Sequence, residues 1–318
     1  MAAVDSFQFL YAEICRSCSS YWDTLALVGG LYAASRAVVL LADCCTVLRV
    51  HFLPRIVPSK QLARRYGDWA VMYGASEPVA AAYAEELARQ GISILFVTQD
   101  HTALRDLATS LSQSYGVETV VVLADFSLDQ TASKPIMEAV RGKDIGFLVN
   151  CVDESSASPR NLIETPEQSL LDVVNKNVAV ATLLTRLVLP GMVERSRGAV
   201  VNISPGACCR PLPGRVTLTA STGYLDHFSR ALHLEYSSRG IFVQSLMPFQ
   251  IASSRRQLSS TEGWFVPKPD VYARHAVSTL GVSHRTTGYW PHTLQYGLIR
   301  CVPEWIWVLG SRMLISSS

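Results

Sequence analysis

"WAVMYGASEPVAAAYAEELARQGISILFVT", residues 69–98, decides the fold. It opens on an apolar, β-prone run, 69–74, that reads as a strand. It turns at Gly74 and enters an alanine-rich helix over "EPVAAAYAEELARQG". It closes on a second apolar run, 92–98. Neither run alternates with polar residues, so both faces of each strand must be covered. A strand, a helix and another strand in so short a stretch is the repeating unit of a parallel sheet.

The pattern continues in both directions. A helix is predicted over 101–115, then the strand "TVVVLAD" (119–125) and a helix around 131–142. "IGFLVN" (145–150) is the fourth strand. A long helix follows from about Pro166 to Glu194, with a break expected at Pro190-Gly191. "GAVVNIS" (198–204) is the fifth strand, and "LTASTGYLDHFSRAL" (218–232) begins a helix reaching about Arg239. "IFVQSLMP" (241–248) is the sixth strand. This is α/β: a Rossmann-type, doubly wound parallel sheet with helices on both faces, plus an N-terminal helical extension. Residues 1–67 form that hydrophobic extension, for targeting or membrane association. Residues 68–318 form the Rossmann domain with its aromatic C-terminal tail, "PEWIWVLG" (303–310).

Composition agrees. Of 318 residues, 49% are hydrophobic and 17% charged, enough for a sizeable core and against disorder. Mean hydropathy is +0.20, which points toward a membrane contact. The net charge of +2 comes without a dense basic run and gives no nucleic-acid signal. Eight cysteines are present, several within apolar runs, which favours reduced, packed thiols. Cys15-x-x-Cys18 has no second pair at zinc-binding spacing, so no metal site is expected.

Within the extension, "LALVGGLYAASRAVVLLA" (25–42) approaches a spanning length. Arg36 sits inside it, at a cost of roughly 2.5–3.5 kcal/mol on insertion scales, and Gly29-Gly30 weakens the helix. A helix packed on the domain, one lying in a membrane interface and one crossing a bilayer all remain open. Asp5, Glu13 and Asp23 precede the apolar stretch, unlike a secretory signal.

The motifs carry a resemblance. "YGASEPVA" (73–80) resembles the T-G-x-x-x-G-x-G cofactor loop of the short-chain dehydrogenase/reductase family. "LAD" ends in Asp125, where that family's acid contacts adenine. "NCVD" (150–153) resembles N-N-A-G, "NKN" (175–177) the N-x-N of the long helix, and "NISP" (202–205) the strand end N-I-S-S. "LTAST" (218–222) aligns with Y-x-x-x-K and "PFQIAS" (248–253) with P-G-x-x-x-T. These marks stand in the family's order over about 69 to 253. On "HFLPRI", "AYAEELA", "VLPGMVERSRGAVVNIS", "YLDHFSRAL", "GIFVQSLMPF" and "TTGYW" the likeness is closer still to its branch of steroid and fatty-acyl dehydrogenases with a hydrophobic N-terminal extension. It implies a mitochondrial protein, with the endoplasmic reticulum membrane as the alternative.

The resemblance also says what chemistry to look for. In the family a nicotinamide supplies the hydride. A Tyr is the acid/base, a Lys one helical turn on lowers its pKa, a Ser holds the substrate oxygen, and an Asn carries a proton relay. Here the Tyr position is Leu218, the Lys position Thr222 and the Ser position Pro205; only Asn177 is kept. Positioned acid/base catalysis is worth roughly 3–5 kcal/mol of barrier, and Leu218 has no proton to give. No Tyr in the chain has a Lys four residues on. Tyr224 lies on nearly the opposite helix face from Leu218 and reads as packing or surface; His227 and His233 read as structural.

The cofactor loop is degraded too. Gly74 keeps the first glycine, but Pro78 and Ala80 stand at the other two. Pro78 removes an N–H from the helix end that would hold phosphate. Asp153 adds an acid, Thr222 lacks the ribose-binding cation, and Phe249 replaces a glycine near the nicotinamide. Gln99 stands where an Arg often selects NADP. The vestigial NAD(P) site therefore comprises Gly74, Ala75, Ser76, Glu77, Pro78, Val79, Ala80, Asp125, Asn150 and Thr222, and no cofactor is expected to bind. Asp125 can equally end a strand or cap a helix, and Asn150 can stitch neighbouring strands. The expected protein is an inactive dehydrogenase-like pseudoenzyme serving as a binding or scaffolding module. The alternative is a weak NAD(P)-dependent oxidoreductase on steroid or fatty-acyl substrates. Expected partners are a second copy of the chain, an unidentified protein, and a membrane met through the N-terminal extension; no nucleic acid is expected.

Overall fold

The computed structural model describes residues 2–56, 62–124, 133–152, 160–252 and 264–316. The chain divides into two compact units, Met1–Arg49 and Val50–Ser318. The division falls earlier than residue 67, because Val50 and His51 are buried within the second unit and the helix Leu62–Tyr66 buries Leu62 and Tyr66 in its core.

The first unit is one helix, Ala2–Val47. Gly29 and Gly30 do not interrupt it, and beyond the helix's own neighbouring backbone nothing lies within 4 Å of where a Cβ would stand at either. Leu25, Leu31, Leu40 and Leu41 are exposed. Arg36 donates to the Tyr32 hydroxyl at 3.1 Å, one turn back. With the π turn Leu48–Phe52 that follows, the helix Phe9–Phe52 holds an 18-residue window of mean hydropathy 1.8, long and apolar enough to cross a membrane.

The second unit is built on seven parallel strands: β1 (Trp69–Tyr73), β2 (Ser93–Thr98), β3 (Thr119–Leu123), β4 (Ile145–Cys151), β5 (Gly198–Ile203), β6 (Ile241–Leu246) and β7 (Arg285–Thr286). Their order is β3-β2-β1-β4-β5-β6-β7. The order reverses between β1 and β4, where a doubly wound sheet opens its ligand crevice. β7 lies beyond the six strands read from sequence; two residues are too few to show a period.

Side-chain alternation divides the core in two. Ala70, Met72, Ile94, Phe96, Phe147 and Val149 face the helices Pro78–Arg89, His101–Tyr115 and Pro269–Ser278. Val71, Tyr73, Leu95, Val97, Leu148 and Val200 face the helix Val180–Glu194 and the end of Val216–Tyr236. Burial on both sides explains the unbroken apolar runs.

Two readings are corrected. The long helix does not break at Pro190-Gly191: Val180–Glu194 runs through Pro190, held by buried Leu184, Val188, Leu189 and Met192. Its irregularity is the π turn Asn175–Ala179, which joins it to the helix Glu167–Val174. Nor are the cysteines mainly packed. Cys15, Cys18, Cys44, Cys45 and Cys301 are exposed, Cys209 is half-buried and Cys151 is buried, all as free thiols.

Candidate functional site

The carboxyl ends of β1, β4, β5 and β6 bring the family positions into one crevice. Gly74 follows β1 and Asn150 lies in β4; Pro205 follows β5 and Phe249 follows β6. The π turn and the helix Val216–Tyr236 supply Asn177, Leu218 and Thr222. Asp125 and Asp153 lie outside the described residues.

Gly74 has φ +77°, and a Cβ there would sit 2.5 Å from the Cys151 carbonyl oxygen. The fold alone therefore demands this glycine, with no phosphate involved. Glu77 N–H donates to the Gly74 carbonyl at 3.1 Å and closes the turn. Pro78 takes the first helical position, where its missing N–H is tolerated. Ser76 and Pro78 are exposed, and Glu77 and Val79 are half-buried. Ala75 and Ala80 are buried in the apolar cluster that holds Met72 and Tyr83. The methyl added at the third glycine position is thus core, not cleft lining.

The acid/base turn is sealed. Leu218 is 0% exposed and packs in a small apolar cluster with Val152, Ala181 and Leu225. Thr222 is buried and donates its hydroxyl to the Leu218 carbonyl at 3.0 Å. Asn177 is buried in the π turn, a feature that often marks a functional position in a helix. Pro205 opens a 3₁₀ turn, Gly206–Cys209. A Cβ on Gly206 would lie 3.1 Å from the Phe249 ring, so that ring covers the turn where the substrate-holding serine is missing.

Asn150 is a structural residue here. Its Nδ2 donates to Asn202 Oδ1 at 2.9 Å, Asn202 Nδ2 donates to Ser229 Oγ at 2.8 Å, and Ser229 returns its proton to the Leu225 carbonyl at 2.6 Å. The chain is buried throughout and ties β4 and β5 to the helix Val216–Tyr236.

One contact was invisible in the sequence. Phe249 N–H donates to Nδ1 of His292 at 3.2 Å, and His292 Nε2 lies 3.2 Å from the Phe265 carbonyl. His292 is fully buried between the rings of Phe249, Tyr272 and Tyr289. Burial lowers its pKa to about 4, against the raising effect of bonds to the Phe265 and Gln250 backbone. Nδ1 accepts and Nε2 donates, which fixes the neutral ring. Residues 43 positions apart in sequence make this knot, and no periodicity announces it.

Among the described residues, neither the remaining tyrosines of the core nor those of the helix Val216–Tyr236 stand in for the missing acid. Tyr224 shares a 2.8 Å hydrogen bond with Thr182 and stacks on Phe228, both on the outer helices. Burial pushes the phenols of Tyr83 and Tyr272 far above their usual range, away from the pH at which a catalytic acid works. His227 is exposed, while His233 accepts from Val243 N–H at 3.4 Å. Among the described residues no group of three or more His, Cys, Asp or Glu could hold a metal ion. Two surface cavities, of about 150 and 350 Å³, lie elsewhere; neither is lined by residues of the Gly74–Ala80 loop.

Comparison with known proteins fits this geometry. Residues 68–262 match the family described as short chain dehydrogenase. The "Inactive hydroxysteroid dehydrogenase-like protein 1" of Danio rerio is 52% identical, over 98% of each chain. The "Very-long-chain 3-oxoacyl-CoA reductase" of Anas platyrhynchos is 35% identical, over 87% of each. A structure solved in work on 7beta-hydroxysteroid dehydrogenase stereoselectivity superposes with a TM-score of 0.67. It is 24% identical and covers 76% of this chain and 94% of its own, a likeness of fold.

Proposed function

This chain belongs to the short-chain dehydrogenase family, and we propose that it is a member without turnover, a pseudoenzyme that keeps the fold as a binding or scaffolding module. One observation carries the reading. Leu218, where the acid/base would stand, is wholly buried among Val152, Ala181 and Leu225. A substrate carbonyl at that point would meet no proton donor and would have to displace packed side chains. The name of the zebrafish relative supports the same reading.

The family's nicotinamide group fits these residues poorly. The first turn of the helix Pro78–Arg89 lacks an N–H at Pro78, and no cation takes the ribose position at Thr222. The Phe249 ring lies over the Pro205-Gly206 turn. No step of chemistry is therefore assigned to a cofactor.

The proposal includes association with a membrane through the N-terminal helix, supported by the exposed 18-residue apolar window within Phe9–Phe52, at mitochondria or, alternatively, the endoplasmic reticulum. It also includes a homodimer through the long helix and the helix Val216–Tyr236. These helices expose Leu171, Leu183 and Tyr224 and flank the 350 Å³ cavity at Leu189, Phe228 and Leu232. Sedimentation of the detergent-solubilised chain tests the dimer, and Leu183→Glu should shift it toward monomer.

A second reading, a weak NAD(P)-dependent oxidoreductase on steroid or fatty-acyl substrates, draws on Asn177 and on the reductase relative. Cofactor oxidation with a steroid ketone and with a 3-oxoacyl thioester separates the two readings. The pseudoenzyme shows no rate above a heat-killed control. A real rate that falls in Asn177→Ala supports the oxidoreductase.

A further inference from the structure

The second unit carries an apolar face of its own. The helix Trp290–Cys301 buries Pro291 and His292 and turns Leu294 and Leu298 outward, with Leu298 68% exposed. Residues 290, 294 and 298 form one stripe along it. The next helix, Glu304–Ser316, presents Trp305, 71% exposed, and Leu309 one turn on. Trp264 is 73% exposed and packs edge-on against Trp290 at 5.4 Å between ring centres. The face is fixed in place. Arg210 donates to the carbonyls of Arg300 and Val302, and the Trp307 indole N–H to the Pro211 carbonyl at 3.0 Å.

Chain connectivity indicates what covers it. The last residues of the helix Phe9–Phe52, beyond its apolar window, are built into this face. His51 Nε2 shares a 2.9 Å hydrogen bond with Thr293 Oγ1, and the Phe52 ring lies 6.4 Å from that of Trp290. The apolar window 25–42 ends eight residues before Val50, about 12 Å along a helix, so a bilayer that takes up that window brings residues 50–52 close to its surface. Trp290, Leu294 and Trp264 then stand there too. Tryptophans rimming a leucine stripe suit the headgroup zone, where an indole has both an apolar body and a polar N–H. Arg300, exposed at the end of the same helix, suits lipid phosphate.

We propose that Trp264, Leu294, Leu298 and Trp305 form a second, interfacial contact with a phospholipid bilayer beside the root of the N-terminal helix. The inference rests on the membrane-association reading above and adds an orientation. The sheet unit lies with its C-terminal helices on the lipid and is not free to swing on a tether.

Tryptophan quenching tests both parts separately. The full-length chain is reconstituted in phosphatidylcholine–phosphatidylglycerol vesicles, with acyl chains brominated or not. In a Trp22→Phe chain, emission lost on adding Trp264→Phe and Trp305→Phe reports this face. In a Trp264→Phe/Trp305→Phe chain, emission lost on adding Trp22→Phe reports the N-terminal helix. Brominated lipid should quench both signals. Leu294→Ser with Leu298→Ser should relieve quenching at the face and leave Trp22 quenched. Equal face emission in brominated and plain vesicles overturns the proposal, and does so as well if only water-borne acrylamide quenches it. An unquenched Trp22 beside a quenched face supports the contact and overturns the anchor instead.

Discussion

Thr222 donates its hydroxyl to the backbone carbonyl of Leu218 at 3.0 Å, one helical turn back, and both side chains are buried. These two positions would hold the family's acid/base and its cation. One now fills space and the other satisfies its own helix.

Restoring the pair should fail. Leu218→Tyr forces a larger, polar ring into the cluster of Val152, Ala181 and Leu225, at about 1–3 kcal/mol for overpacking. Thr222→Lys adds a buried charge, and the carboxylate one turn on, Asp226, is already paired with Arg285. The double variant should unfold at lower urea than the native chain and show no dehydrogenase rate. Recovered turnover would mean that the cofactor site was never lost.

Asn202 should matter for stability alone. It accepts from Asn150 and donates to Ser229 within the core. Asn202→Ala strands both partners and should cost about 1–3 kcal/mol, read as a lower urea midpoint. A neutral result would show that buried water replaces the amide.

Gly74→Ala should destabilise by about 2 kcal/mol or more, since it combines a positive φ with a Cβ against the Cys151 carbonyl. The reverse change, Pro78→Gly with Ala80→Gly, recreates the glycine pattern. It should weaken the helix and gain no dinucleotide binding, because the Phe249 ring still stands against the Gly206 turn and Thr222 still offers no cation. Calorimetric binding by that variant would place the whole defect in the loop.

The sheet was legible because burial on both faces leaves continuous apolar runs, as in "WAVMY" and "ILFV". The lost chemistry was legible because it is a matter of residue type at Leu218, Thr222 and Pro205. Three features were not. β7 is two residues long. The π turn at Asn177 changes geometry without changing pattern. The bond from Phe249 to His292 joins distant residues through a buried ring. Gly74 taught the reverse lesson, since a retained motif glycine turned out to serve backbone packing.

Stability should fall in mild acid through His292. Its folded pKa is lowered to about 4 from 6.5, first by burial, so the unfolded chain binds the extra proton first. This contribution is complete above pH 6.5 and is lost as pH falls toward 4, on the order of 3 kcal/mol. Protonation would also set a hydrogen on Nδ1 against the Phe249 N–H. Urea midpoints in detergent between pH 4 and 7 should slope less steeply for His292→Gln than for the native chain. Parallel slopes would contradict this role.

The central claim is that the cleft between β1 and β4 is closed to a dinucleotide. Isothermal titration of the full-length chain with NADH and NADPH tests it most directly. A filled cleft gives heats no larger than dilution for both. Saturable binding of either nucleotide at micromolar concentration would contradict it.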